Sequence, residues 1–162
     1  MKKLAIVSLV VAGAIAVPIA VLASTGGGGS RIACHRFAFT TNPTTTSSNS
    51  FANVPGLRVR AFLAQAYTVQ VSATFSGSPA RLRVTDASVG GTFPMQPGVA
   101  SVAPPTGKRQ SASFTWVGSS PAEHQHTFRL QWRRNAVSGT SKLTNGDITV
   151  VYEGAPTPTT CG

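Results

Sequence analysis

Apolar and polar positions alternate with period two along most of the chain beyond residue 56. Leu57, Val59, Ala61 and Leu63 share one face, with Arg58 and Arg60 on the other. Tyr67, Val69, Val71, Ala73 and Phe75 alternate with Thr68, Gln70, Ser72 and Thr74. Leu82 and Val84 alternate with Arg81, Arg83 and Thr85, and Phe114 and Trp116 with Ser113 and Thr115. His126, Phe128, Leu130 and Trp132 alternate with Thr127, Arg129, Gln131 and Arg133, and Ile148, Val150 and Tyr152 with Asp147, Thr149 and Val151. This is the pattern of antiparallel strands buried on one face. The stretches between carry turn chemistry: Asn53-Val54-Pro55-Gly56, Ser76-Gly77-Ser78-Pro79, Gly90-Gly91 and Pro104-Pro105-Thr106-Gly107. Asn145-Gly146, between Leu143 and Ile148, predicts a two-residue hairpin turn. Gly91 to Gly107 reads as a long loop with one short strand near Thr92-Phe93, and Thr40 to Ser50 as a polar approach to the first firm strand. No window past Ala23 has a 3.6-residue period. The expected fold is all-β: an antiparallel sandwich of jelly-roll type with about eight strands.

The N-terminus is of another kind. Met1-Lys2-Lys3 precedes an uncharged apolar run from Leu4 to Ala23, the arrangement of a secretory signal, with a cleavage point expected after Ala23. The competing reading is an uncleaved anchor helix, since about 20 apolar residues can span a bilayer. Both readings export the chain beyond Ala23, to the cell surface or the extracellular space. Only an uncleaved segment would give the protein a membrane association. The expected organisation is therefore a signal or anchor over 1–23, a flexible Gly-rich linker over 24–33 and a β-sandwich over 34–162.

Composition sharpens this picture. Charged residues are 11% of the chain, with Lys and Arg numbering 14 against 4 acids, for a formal charge of +10. So few charges exclude long solvated helices. Four carboxylates leave little for carboxylate metal cages or acid–base pairs, and two cysteines cannot build a thiolate zinc site. No cofactor is implied. Cys34 and Cys161, near the two ends of an exported chain, are expected to form a disulfide. In the chain-entropy model, closing a loop of about 100 residues contributes about 4.7 kcal/mol. Free or intermolecular thiols are the alternative; no Cys-x-x-Cys spacing favours it.

The order of residues resembles a known family. Asn49-Ser50-Phe51-Ala52-Asn53-Val54-Pro55-Gly56-Leu57 is followed by Tyr67-Thr68-Val69-Gln70-Val71-Ser72-Ala73-Thr74-Phe75-Ser76-Gly77. His126-Thr127-Phe128-Arg129-Leu130-Gln131-Trp132-Arg133 comes later, then Thr144-Asn145-Gly146-Asp147-Ile148-Thr149-Val150. Together they resemble the jelly-roll domains of tumour necrosis factor and the complement globular head, a type that recurs in bacterial secreted proteins and phage fibres. The resemblance runs from about Phe37 to Glu153 and is most specific in the strand that begins at His126. Two positions depart from it. Gln65 stands where the complement heads have a glycine, and Pro121-Ala122-Glu123-His124-Gln125 replaces a Gly-Thr turn. The resemblance implies a non-catalytic binding or assembly domain, often a homotrimer, and names no ligand.

Three groups of residues could carry chemistry. His124 and His126 would share one face of a strand and suit zinc, copper or nickel. Glu123 would face away, however, and a third ligand is missing, so packing is the stronger reading for the pair. Arg58, Arg60, Arg81, Arg83, Arg129 and Arg133 all fall on polar strand faces. They form either an ordinary solvated face or a basic surface for an anionic cell-surface polymer or glycan. Phe62 is the aromatic beside these charges that could stack on a base, and sequence-specific nucleic-acid recognition is not expected. The alternative function is a small secreted carbohydrate-active hydrolase or sugar-binding domain. Glu123 and Glu153 would be its carboxylates, a serine with His35 and Asp86 or Asp147 its triad, and Trp116 or Trp132 its sugar platform. No Gly-x-Ser-x-Gly or His-Glu-x-x-His motif supports catalysis.

Overall fold

The computed structural model describes residues 32–88, 91–93 and 95–154. The signal or anchor segment, most of the Gly-rich linker and Cys161 lie outside the described residues. Among the described residues there are eight strands: β1 (Ile32–Thr40), β2 (Thr44–Thr46), β3 (Ala52–Gly77), β4 (Ala80–Ser88), β5 (Gly91–Phe93), β6 (Ala100–Val102), β7 (Arg109–Arg134) and β8 (Ser141–Gly154). They form one antiparallel sheet ordered β1-β8-β3-β7-β4-β5, with β2 on β8 and β6 on β4. No helix occurs among the described residues, so none there is long and apolar enough to cross a membrane.

The sheet becomes a sandwich because β3 and β7 are too long to stay straight. Each has 26 residues. Fully extended, such a strand would reach about 85 Å, about twice the diameter of a domain of this length. The two run antiparallel to each other nearly end to end, with a register shift between Leu63 and Gln65. Gln65 there has a φ of 63°, in the left-handed region. Beyond this corner the second half of β3 lies between β8 and the first half of β7, from Tyr67 to Gly77. Before it, the first half of β3 pairs with the second half of β7, which pairs in turn with β4. One layer is thus β1, β8 and the distal half of β3 with the proximal half of β7. The other is the remaining halves of β3 and β7 with β4 and its short neighbours β5 and β6.

The inward faces are those the alternation marks. Leu57, Leu63, Val69, Val71, Phe75, Leu82, Trp116, Phe128, Leu130, Ile148 and Val150 are all at most 1% exposed. They join one core that spans both layers. The structure is an all-β antiparallel sandwich of jelly-roll type.

Four expectations need correction. Asn145-Gly146 is not a hairpin turn: it lies inside β8, paired with β3 on one side and β1 on the other, with a bulge between Thr74 and Phe75. A Cβ on Gly146 would stand 2.9 Å from the Ala73 Cβ and 3.1 Å from the Ser72 carbonyl, so this glycine serves close strand approach rather than a turn. Asn53-Val54-Pro55-Gly56 is likewise inside β3, at the irregularity between Asn53 and Arg58 where Gly56 has a φ of 80°. The Gly91–Gly107 segment carries two short strands, β5 and β6, not one. Finally, β1 begins at Ile32, inside the expected linker. Its inward residues Cys34, Arg36, Ala38 and Thr40 are too mixed for the period to reveal it.

Candidate functional site

The six arginines lie on the outer face of one layer. Arg58 and Arg60 come from β3, Arg129 and Arg133 from β7, and Arg81 and Arg83 from β4. In register, Arg58 stands opposite Arg129 and Arg81 opposite Arg133. Like charges directly across a strand pair are destabilising. Arg58 registers this: its guanidinium is held below the usual arginine range, first by Arg60, then by partial desolvation, then by Arg129. No Asp or Glu is among the strand positions of this face from Arg58 to Phe62, Arg81 to Ala87 or Gln125 to Arg133 that point outward.

One end of the face is tied down by hydrogen bonds and ring contacts. Arg83 donates from Nε to Gln131 Oε1 at 2.8 Å, and Gln131 donates to Asn53 Oδ1 at 2.9 Å, a hydrogen-bonded row across β4, β7 and β3. The segment before β3 folds over this end. Arg134 N–H donates to the Ser48 carbonyl at 2.8 Å, and Arg133 donates from Nη1 to the Asn49 carbonyl at 3.1 Å. Phe51 receives the Arg83 guanidinium 4.2 Å from its ring centre and that of Arg133 at 4.9 Å. These contacts order two guanidiniums without neutralising them. Arg58, Arg60 and Arg129 occupy the rest of the face, Arg58 and Arg60 exposed and Arg129 half-buried, with Phe62 beside them at 47% exposure.

Behind this face is a polar cluster that composition alone did not reveal. Asp86 continues the inward row of Leu82 and Val84 on β4 and is 0% exposed. The Tyr67 hydroxyl donates to Asp86 Oδ2. His126 Nδ1, also at 0% exposure, is 2.9 Å from each carboxylate oxygen. Burial, then the Asp86 hydrogen bond, then its charge push the Tyr67 hydroxyl well above the ordinary phenol range. Gly118 lies opposite Tyr67 on β7 and leaves room for its ring. A Cβ there would be 2.6 Å from the phenol oxygen. The cluster ties β3, β4 and β7 together just past the corner. The alternation Leu82, Val84, Asp86 already put a carboxylate on a core face, and that was the signal for it.

The two histidine rings, those of His124 and His126, are stacked on one another with centroids 4.7 Å apart and planes 14° apart. His126 continues against Phe128 and Tyr67. Among the described residues no three His, Cys, Asp or Glu side chains gather as a metal site would require.

Among the described residues no Ser–His–Asp relay is assembled. Ser120, 2% exposed, meets His124 at 3.2 Å, whereas Asp86 meets His126. His35 is exposed on β1, opposite Val151. Trp116 and Trp132, at 0% and 2% exposure, cannot be sugar platforms because both are core residues. Glu123 is exposed within β7, and the Glu153 side chain lies outside the described residues. Cys34 is 1% exposed on β1, opposite Tyr152. Its expected partner Cys161 lies outside the described residues.

The other layer presents a different outer surface. Phe37 and Phe39 point outward from β1 at 70% and 67% exposure. Across the sheet, Phe39 faces Asp147, then Ser72, then Ser113. A cavity of about 360 Å³ opens there, lined by these residues and by Thr74, Ser111 and Asn145. Sequence reasoning passed over this region because β1 itself was not legible.

No family model matches this chain, and no curated protein matches it. Among solved structures it is similar to the Eiger TNF of S. frugiperda, with 15% identity and a TM-score of 0.42 over 80% of this chain and 97% of that one. At that identity and score the likeness carries nothing about function.

Proposed function

We propose that this is an exported, non-catalytic binding module whose arginine face attaches it to an anionic polymer of a cell surface or matrix. What carries the reading is the placing of Arg58 directly opposite Arg129, with Arg60 alongside and no carboxylate between them. Such an arrangement costs stability in the free protein, and a polymer carrying sulfate, phosphate or carboxylate groups offsets the repulsion when it binds. Guanidinium forks match those groups bidentately. The ordered guanidiniums of Arg83 and Arg133 extend the site along the same face. Attraction of this kind is fast and weakens with salt.

The test is chromatography on a sulfated polysaccharide such as heparin, with a salt gradient. The protein is retained at low salt. The Arg58→Gln/Arg129→Gln variant elutes earlier than a Lys108→Gln/Lys142→Gln control of equal charge change. Because the repulsion is gone, the arginine variant also melts higher than the parent. Equal elution of the two variants overturns the reading.

Export and the Cys34–Cys161 staple belong to the same proposal. Buried Cys34 at the sheet edge would hold the C-terminal segment against β1. Thiol titration of unreduced, denatured protein is expected to find no free sulfhydryl, and two would end this part of the reading. The homotrimer implied by the family resemblance is likewise a proposal, tested by sedimentation equilibrium.

A further inference from the structure

The cavity beside Phe39 lies on the opposite layer from the arginines, and its chemistry is different. Its lining comes from β1, β8, β3 and β7 and the residue after β1; no residue of β4 or of the other layer takes part, so it opens on the outer surface. Gly146, Ala73 and Ala112 make the floor. These residues have side chains that are small or absent, and they turn inward. The walls are outward residues of two neighbouring rows. One row is Phe39, Asp147, Ser72 and Ser113; the other is Asn145, Thr74 and Ser111. Ser72 and Ser113 hydroxyls lie 3.0 Å apart, as do those of Thr74 and Ser111. Four strands at about 4.8 Å spacing make a row roughly 14 Å wide.

We infer that this cavity is a subsite for a neutral glycan, stacked on Phe39 and hydrogen-bonded by Asp147, Asn145 and the paired hydroxyls. A pyranose has an apolar C–H face and a rim of hydroxyls that both donate and accept. Phe39 offers an exposed ring for the first. Asp147 accepts from sugar hydroxyls, Asn145 both donates and accepts, and the serine and threonine hydroxyls serve in either role. Phe37 stands two residues along β1 on the same face, about 6.8 Å from Phe39 by strand rise. It supplies a second ring for the next sugar unit. No Lys or Arg lines the cavity, and Asp147 repels acidic sugars. The charge of +10 on the whole chain disfavours a cationic ligand. The charges leave an uncharged ligand, and a lining of serine and threonine hydroxyls, an amide and a carboxylate beside an exposed ring matches a polyol. The cavity volume falls within the range of small-ligand sites, about 300–1,000 Å³.

The experiment is retention of the intact protein on insoluble cellulose, chitin and amylose in high salt, where the arginine face is screened. Retention on at least one polymer is expected, unchanged by Arg58→Gln/Arg129→Gln. Phe39→Ala weakens it about tenfold, the scale of one aromatic stacking contact, and Phe39→Trp restores it. Asp147→Ala weakens it as well. Phe39 is exposed, so Phe39→Ala keeps the parent melting temperature and a binding loss is not a folding loss. Absence of retention on all three polymers overturns the inference, as does equal retention by the parent, Phe39→Ala and Asp147→Ala. If instead Phe39→Ala lowers the sedimenting mass and no polymer is bound, the face is a contact between copies of this chain and the inference fails.

Discussion

The buried carboxylate of Asp86 gives the most direct test of how the two layers are joined. It accepts from the Tyr67 hydroxyl and lies 2.9 Å from His126 Nδ1, with both acid and imidazole at 0% exposure. Asp86→Ala removes the carboxylate from two buried polar groups at once, the phenol of Tyr67 and the imidazole of His126. Leaving a buried donor unsatisfied costs about 1–3 kcal/mol, so the two together cost roughly 2–6 kcal/mol. Asp86→Asn keeps one acceptor oxygen but turns an NH2 toward the other donor, so it loses about one charge-assisted hydrogen bond, roughly 1.5–3 kcal/mol. Tyr67→Phe removes a donor while leaving the carboxylate its histidine, and falls in the same range. Urea unfolding followed by tryptophan fluorescence is a suitable assay, because Trp116 and Trp132 are both buried. With an m-value of about 2 kcal/mol per M, Asp86→Ala should move the midpoint down by roughly 2 M. The combined variant Tyr67→Phe/Asp86→Asn should cost less than the sum of its parts by about 0.5–3 kcal/mol, since the two share one bond. A cost below about 1 kcal/mol for Asp86→Ala, or additivity within about 0.5 kcal/mol, would show that the cluster does not hold the corner.

Three further outcomes are expected in the same region. Gly118→Ala places a methyl against the Tyr67 ring, 2.6 Å from its oxygen before relaxation; overpacking of this kind costs about 1–3 kcal/mol, read in the same urea assay. Gln65→Gly relieves the left-handed backbone at the corner, worth about 1–2 kcal/mol, against about 0.5–1 kcal/mol of added chain entropy, so a small rise in melting temperature is expected and a fall refutes the strain. The raised Tyr67 hydroxyl makes stability fall with alkali: below about pH 10 the phenol is protonated in both states, and above it only the unfolded chain ionises, with a slope up to about 1.4 kcal/mol per pH unit. Subtracting the Tyr67→Phe curve from the parent curve isolates that slope, and parallel curves above pH 10 count against it.

Much of the architecture was legible as text. Period-two alternation correctly placed Leu57 to Leu63, Tyr67 to Phe75 and His126 to Trp132 with their faces inward. It also put all six arginines on outward positions, and a few charges with no helical period left no room for another class of fold. These features are local, because a strand's two faces are decided by its own residues. Turn chemistry was less dependable. Asn145-Gly146 and Val54-Pro55-Gly56 have turn composition, yet strands on either side absorb them as bulges and close approaches. Alternation also says nothing of neighbours. Only tertiary structure decided that Arg58 faces Arg129, that Asp86 meets both Tyr67 and His126, and that Phe39, Asp147 and Ser72 line one row. Register between distant strands depends on the pairing of whole strands and on the bend at Gln65. That information is distributed over the length of the sandwich, and no single segment contains it.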